Sequence, residues 1–315
     1  MSDLVTMGET MALFRATSAG PLRHATSLSV GMAGAESNVA IGLRRLGAST
    51  AWGGRVGDDE FGELVLSRLR GEDVDVAGAV VDSGAPTGLM FREQRSADLF
   101  RVHYYRKGSA GSRLCPDDVD PEAIAAARVL HVTGITPALS DTARAAVEHA
   151  VSVAREAGTL VSLDFNHRSA LWSPVAAGAV LRRLTAEADI VFAGDDEAEM
   201  VVGAGDPEVA ARALAALGPS HVVIKLGSRG AVALAEGRLE QSAAIQVRAV
   251  DPVGAGDAFV AGYLAGVLDG APAAECLRLG CLAGAFAVTV PGDWEGLPSR
   301  AELDLLDRPH GTVLR

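Results

Sequence analysis

Short apolar runs alternate with longer helical ones along most of the chain, and this rhythm constrains the fold more than any other feature of the sequence. Val129 to Val132, Leu160 to Leu163, Ile190 to Ala193 and Val222 to Lys225 are each apolar enough to be covered on both faces, as the strands of a parallel sheet must be. Between them the patterning predicts helices over Asp141 to Ala157, Val175 to Ala186 and Pro207 to Leu217. The implied class is α/β: a doubly wound, mostly parallel sheet with helices on both faces.

The N-terminal part breaks that rhythm. Met11 to Phe14, Leu28 to Gly31, Thr87 to Arg92 and Phe100 to Arg106 are short strand-like pieces without helical connections of their own, interrupted by helical patterns at Ala35 to Leu46 and Glu60 to Arg70. They predict a small β-sheet, drawn from about 11–31 and 86–106, that leaves the main body as a lid. With 315 residues and 49% hydrophobic content, one large core is affordable, and no repeat, low-complexity tract or linker marks a boundary. Residues 1–315 therefore read as a single domain with a lid.

Charge and cysteine usage narrow the function. A formal charge of -12 argues against a nucleic-acid partner, because phosphate backbones are held by Lys and Arg that displace counterions. Cys115, Cys276 and Cys281 are too few and too unevenly spaced for a disulfide framework or a zinc site, and read as reduced core or pocket residues. Met1-Ser2-Asp3 leads straight into an apolar strand without the features of a signal peptide, and no run approaches the roughly eighteen apolar residues of a membrane span. A cytoplasmic protein with no membrane partner is expected.

The segment Asp251-Pro252-Val253-Gly254-Ala255-Gly256-Asp257 runs from a Pro-containing turn through two glycines into an apolar helix reaching about Leu268. Glycines let backbone amides converge on a ligand, and a helix starting there adds about half a positive charge, so the loop favours an anion such as phosphate. Asp257 in the first turn complements the helix dipole. It can also take a proton from a hydroxyl while Gly254, Ala255 and Gly256 stabilise the phosphoryl group under attack. Neither a Walker loop nor a full dinucleotide fingerprint occurs.

This segment resembles the C-terminal signature of the ribokinase-like, or PfkB, family of carbohydrate kinases. Gly53-Gly54-Arg55-Val56-Gly57-Asp58-Asp59-Glu60-Phe61-Gly62 is similar to the N-terminal glycine-rich motif of that family, and Gly34-Ala35-Glu36-Ser37-Asn38 to its substrate-gripping turn. The resemblance spans nearly the whole chain and implies the same doubly wound domain with a β-sheet lid. Within the family, Tyr104 to Ala110, Gly134 to Ala138, Asp164 to Arg168 and Leu171 to Pro174 resemble 2-keto-3-deoxygluconate kinases. A sugar acid is thereby implied as substrate, and Arg106 and Arg168 offer planar guanidinium groups able to hold its carboxylate. Strand alternation sends Tyr104 and Tyr105 to opposite faces, so Tyr104 is expected to face substrate together with Arg106.

By the same resemblance Gly34 and Asn38 touch the substrate, and Asp293 of Pro291-Gly292-Asp293 closes its far side, although Gly-Asp is equally an ordinary turn pair. ATP is implied at Lys225, Gly227, Ser228 and Gly230, which follow an apolar strand as a nucleotide loop or a plain tight turn, with Asn166 and Arg168 facing the phosphates. Three positions depart from the family pattern. Met90 stands where a tyrosine is common in the lid and gives only apolar contact; Gly194 replaces an asparagine before Glu197; Cys281 replaces an asparagine beside the adenine. Glu197 either helps organise hydrated magnesium or caps the following helix. The expected reaction is in-line attack of the terminal hydroxyl of the sugar acid on ATP with Mg2+, giving a 6-phospho product. A monovalent cation and a homo-oligomer joined through the lid are compatible with it; another sugar kinase of the family, for fructose or ribose, is the alternative, ahead of a non-catalytic sensor.

Overall fold

The computed structural model describes residues 2–96 and 99–306; of the expected domain over 1–315, Met1, Ala97, Asp98 and 307–315 lie outside the described residues. Strand β1 (Leu4–Met7) starts a large sheet, after which the chain leaves it for β2 (Met11–Ala16) and β3 (Leu28–Ala33). It returns through helix α1 (Ala35–Arg45) to β4 (Thr50–Gly57), then through α2 (Glu60–Gly71) to β5 (Ala79–Asp82). A second excursion forms β6 (Leu89–Ser96) and β7 (Leu99–Tyr105). From there strands and helices alternate: α3 (Pro121–Ala126), β8 (Val129–Thr133), α4 (Asp141–Ala157), β9 (Leu160–Asp164), α5 (Pro174–Glu187), β10 (Ile190–Gly194), α6 (Asp195–Val202), α7 (Pro207–Ala215) and β11 (His221–Lys225). A hairpin of β12 (Ala231–Ala235) and β13 (Arg238–Ser242) precedes the last two helices, α8 (Ala255–Leu268) and α9 (Ala273–Ala287).

The large sheet has the order β13-β12-β11-β10-β9-β8-β1-β4-β5, parallel except at the hairpin, where β12 is antiparallel to both β11 and β13. The two excursions form a separate four-stranded sheet in the order β3-β2-β6-β7. This is the lid expected from the strand-like pieces of the N-terminal part, and its strands run further than those pieces, with β6 starting later, at Leu89, and continuing to Ser96.

Alternation along each central strand divides the core into two layers. Leu4, Val129, Ile190, Phe192 and Val223 pack on one face of the sheet with α1, α8 and α9; Val5, Leu130, Val191, Ala193 and Ile224 pack on the other with α4 and α5. The helix ends follow ordinary capping chemistry. Ser140 accepts from the Ala143 amide at the start of α4, and Gly158 ends that helix at φ 76. Asp59 caps α2 through the Phe61 and Gly62 amides, and its carboxylate also accepts from Thr87, which fixes the chain as it enters the lid.

One helix crossing positions the site. Asn38 on α1 donates to Asp257 on α8 at 2.8 Å, and one turn further along each helix Gly42 faces Ala261 so closely that a Cβ on Gly42 would lie 2.7 Å from the Ala261 methyl carbon. The i, i+4 step is the same on both helices, so the contact of small residues sets the spacing at which the polar pair meets. Gly42→Val should force the helices apart and destabilise the protein by about 1–3 kcal/mol in urea unfolding; unchanged stability would contradict this close crossing.

Candidate active site

Two adjoining cavities open where the parallel strands end, the edge at which open α/β sheets gather their ligands. The first, about 410 Å³, is lined by Gly227, Ser228 and Gly230 of the loop after β11, by Ala244 to Val247, and by Phe259, Cys281 and Ala285 of α8 and α9. The second, about 470 Å³, lies under the lid and is lined by Gly34, Asn38, Met90, Tyr104, Arg106, Asn166, Arg168, Asp257 and Asp293 among others. Both share Lys225, Pro252 and Gly256, so the start of α8 forms the partition between them.

The partition requires glycine at Gly254. Its φ is +77, and a Cβ there would lie 1.9 Å from the Asp293 carbonyl oxygen. From this turn α8 begins at Ala255, and the first amides of a helix have no acceptor within it, which leaves partial positive charge at the junction.

Asp257, 7% exposed, sits in the first turn. Its Oδ2 accepts from Asn38 Nδ2 at 2.8 Å and its Oδ1 from Asn166 Nδ2 at 3.2 Å. Asn166 follows β9 and is held at φ 41, a left-handed conformation that asparagine tolerates better than most residues. Burial pushes the Asp257 carboxyl up to about 6; the Asn38 hydrogen bond opposes this, nearby Asp164 adds to it, and Arg168 and Lys225 counter it. Lys225 at the end of β11 reaches across β10 to both oxygens of Asp164, at 2.6 and 2.8 Å.

Several expected residues are engaged differently from their sequence reading. Asn166 and Gly194, expected at the nucleotide, and Arg168, expected at both substrate and nucleotide, line the cavity under the lid. They leave β9 and β10 on that side of the partition. Arg106, expected as a guanidinium for the substrate carboxylate, is buried and already paired: its Nε donates to Glu9 Oε2 at 2.6 Å. Arg168 is exposed and donates to the His167 carbonyl, with no ion pair to an acid among the described residues. Tyr104 and Arg106 share the cavity, with the guanidinium 5.6 Å from the ring centre, whereas Tyr105 turns away to Phe91.

Asp293 is more than a turn residue. It is buried, its carboxylate pairs with Arg92, and burial pushes it up to about 7 against the opposing charge of Arg92. Glu197 accepts from the Gly194 amide at 2.7 Å and from the His167 amide at 2.6 Å, so it caps α6 and ties it to the chain after β9. Cys281 lines the first cavity as a buried thiol. Among the described residues no group of three or more His, Cys, Asp and Glu is placed to hold a metal ion.

Glu9, Glu36, Arg92, Asp164 and Asp251 were not assigned site roles from sequence. Glu36, fully buried, accepts from Thr133 and Thr136 at 2.7 and 2.6 Å, and burial raises its carboxyl above the usual range. A signal existed for two of them: Asp164 ends an apolar strand, and Glu36 lies inside the turn quoted for substrate contact.

The comparisons with known proteins agree with this arrangement. The model for the pfkB family carbohydrate kinase matches residues 1–300. A curated 2-dehydro-3-deoxygluconokinase of Thermoproteus tenax is 40% identical over 310 residues, covering 97% of this chain and 94% of that one. The crystal structure of 2-dehydro-3-deoxygluconokinase from Thermotoga maritima superposes with a TM-score of 0.90 at 27% identity, covering 96% of this chain and 97% of that one. A ribokinase II structure from E. coli, solved in complex with ATP and Mg2+, superposes with a TM-score of 0.90 at 25% identity over 98% of this chain and 99% of its own. The chain belongs to the pfkB family of carbohydrate kinases, and its two-sheet architecture is the ribokinase-like fold.

Proposed function

We propose that this carbohydrate kinase transfers the γ-phosphoryl group of ATP to the terminal (6-) hydroxyl of 2-keto-3-deoxygluconate or a close sugar acid, giving the 6-phospho acid and ADP. The observation that carries the reading is the placement of Asp257. A buried carboxylate stands at the partition between two cavities, in the first turn of a helix whose N-terminal amides have no acceptor within it. ATP takes the cavity formed by Gly227, Ser228, Gly230 and Cys281, where apolar walls suit a purine and Lys225 lies at the phosphate end. The sugar acid takes the cavity under the lid.

In this reading Asp257 accepts the proton of the attacking hydroxyl as the oxygen–phosphorus bond forms and the bond to ADP breaks. The amides from Gly254 to Gly256 face the charge that develops on the phosphoryl oxygens. Asn38 and Asn166 hold the carboxylate in one orientation. Magnesium fits the site as a companion of the nucleotide, since it keeps several waters and needs no protein cage; when bound it neutralises phosphate charge. Asp196 and Glu197 line the cavity where such a hydrated ion would be met.

A sugar acid is favoured by Arg168, a guanidinium at the cavity without a paired acid among the described residues, and by the names of the 40% identical relatives. Met90 offers the substrate an apolar wall, with Met11, Ala33 and Val102 around it. A homo-oligomer joined through the lid fits the same reading: Val30 and Leu99 are exposed on its edge strands, on a sheet whose stacked rings of Phe14 and Phe91 are covered in part by Phe61 of α2.

A coupled ADP-release assay over 2-keto-3-deoxy acids and neutral sugars tests the reaction; turnover of fructose or ribose in preference to every acid would overturn the substrate. Arg168→Ala should raise KM for the acid roughly tenfold to a hundredfold while leaving the KM of any neutral sugar unchanged. Asp257→Asn should bind both ligands yet lower kcat by roughly 10²-fold to 10⁴-fold, and wild-type turnover would remove the base. Because the base must be ionised, kcat/KM should fall as pH drops through about 6. The Asn38 hydrogen bond lowers this pKa, so Asn38→Ala should move the acid limb to higher pH; a limb that stays put or moves down would contradict the assignment.

A further inference from the structure

We propose that Arg92 is a positioning residue through which the lid holds the anion hole together. Arg92 lies on β6, two residues after Met90, so both side chains share the face of the lid that meets the main domain. Its guanidinium is 1% exposed and reaches out of the lid to two acids on the large domain: Nη2 donates to Asp251 Oδ2, and Nη1 donates to Asp293 Oδ1 at 3.3 Å.

Those acids belong to the two segments that shape the phosphate loop. Asp251 accepts from the Val253 amide at 3.2 Å and from the Gly292 amide at 3.0 Å, which fastens the loop entering α8 to the 291–293 turn. The Asp293 carbonyl packs against Gly254, where a Cβ would lie 1.9 Å from it. A guanidinium fork pairing with both acids therefore sets the separation of the segments that close on either side of Gly254.

The charges explain why the clamp is needed. Asp257 and Asp293 are buried in the lining of the cavity under the lid, and Asp251 is buried beside them at the entry to the loop. Without Arg92, Asp251 and Asp293 lose the cation between them, and the relief available to them is uptake of a proton or separation of the loop from the turn, either of which loosens the join between the two segments. The Nε of Arg92 is buried without a partner and the ring of Phe100 lies 5.4 Å from the guanidinium, so the group is held in place by these two acids and the lid strand. A displacement of β6 carries the clamp with it.

This inference rests on the phosphoryl-transfer reading for its kinetic consequence but not for its structural one, and the test separates the two. Hydrogen exchange measured by mass spectrometry on the intact wild type, Arg92→Ala and Arg92→Lys reads the clamp without any substrate. Peptides spanning 250–256 and 290–294 should lose roughly tenfold or more of their protection in Arg92→Ala while the β8 to β11 strands keep theirs. With the preferred sugar, kcat should fall roughly 10²-fold, KM for that sugar should stay within about threefold, and guanidinium chloride at non-denaturing concentration should restore part of kcat. Arg92→Lys keeps the charge but not the fork, and serves as the reading if the alanine variant does not fold; it should show the same changes in smaller degree. Unchanged protection in both segments, wild-type kcat in either variant, or a loss confined to KM would overturn the role of Arg92. If the wild type turns over no sugar while the two segments still lose protection, the functional reading fails and the clamp stands.

Discussion

The carboxylate of Asp257 accepts hydrogen bonds from two asparagines that the chain brings from far apart, Asn38 on α1 and Asn166 after β9. A carboxylate taken out of water is costly unless its lone pairs are met by donors. Those donors must arrive at fixed distances, and every larger feature of the domain serves that. The parallel sheet brings the end of β9 beside the start of α8, and the contact of Gly42 with Ala261 brings α1 onto α8. The result is a carboxyl pushed up to about 6 and not beyond, because hydrogen bonds and the nearby Arg168 and Lys225 offset its desolvation.

The same economy of charge governs the rest of the site. An acidic protein that binds phosphate needs its positive charge concentrated locally, and here the cations around the site are largely committed: half-buried Lys225 to Asp164, and buried Arg106 to Glu9 and Arg92 to Asp251 and Asp293. Paired in this way, they keep side chains fixed rather than supplying net attraction. In the proposed reading, what faces an anion is the helix start at Gly254 to Gly256 and the exposed Arg168. Fixed amides cost no reorganisation when charge develops, which suits the partition between the cavities.

Much of this was legible in the sequence because it was periodic or local. The strands at Val129, Leu160, Ile190 and Val222 and the helix Asp141–Ala157 follow from apolar runs and caps, and the glycine loop before Asp257 carries its chemistry in seven consecutive residues. β4 was not among the expected strands, because the glycines of Thr50–Gly57 blur its apolar alternation and its place is fixed by pairing with β1 and β5. β12 and β13 are short and separated by a tight turn, and α9 is apolar on most sides because α8 and β13 both cover it, so neither shows clear periodicity. The ion pairs were not legible at all. Arg92 and Asp251 lie 159 residues apart, and no spacing rule links a lid arginine to an acid before a helix.

Arg106 shows how such a hidden partner changes the chemistry assigned to a residue. Read alone, an arginine after a strand of the lid is a free cation for a carboxylate. With Glu9 bonded to its Nε and Ser109 bonded to the other oxygen of Glu9, it becomes the outer part of a buried network that anchors the end of β7 to the start of the chain. Its attraction for an anion is reduced by the charge it already neutralises, and its planar face is presented to Tyr104. In the proposed reading, recognition of an acid falls mainly to Arg168, which comes from the loop after β9 and not from the lid. On that reading the carboxylate would be gripped by the same loop after β9 that supplies Asn166 to Asp257, so that the grip on the substrate and the orientation of the proposed proton acceptor would rest on one support.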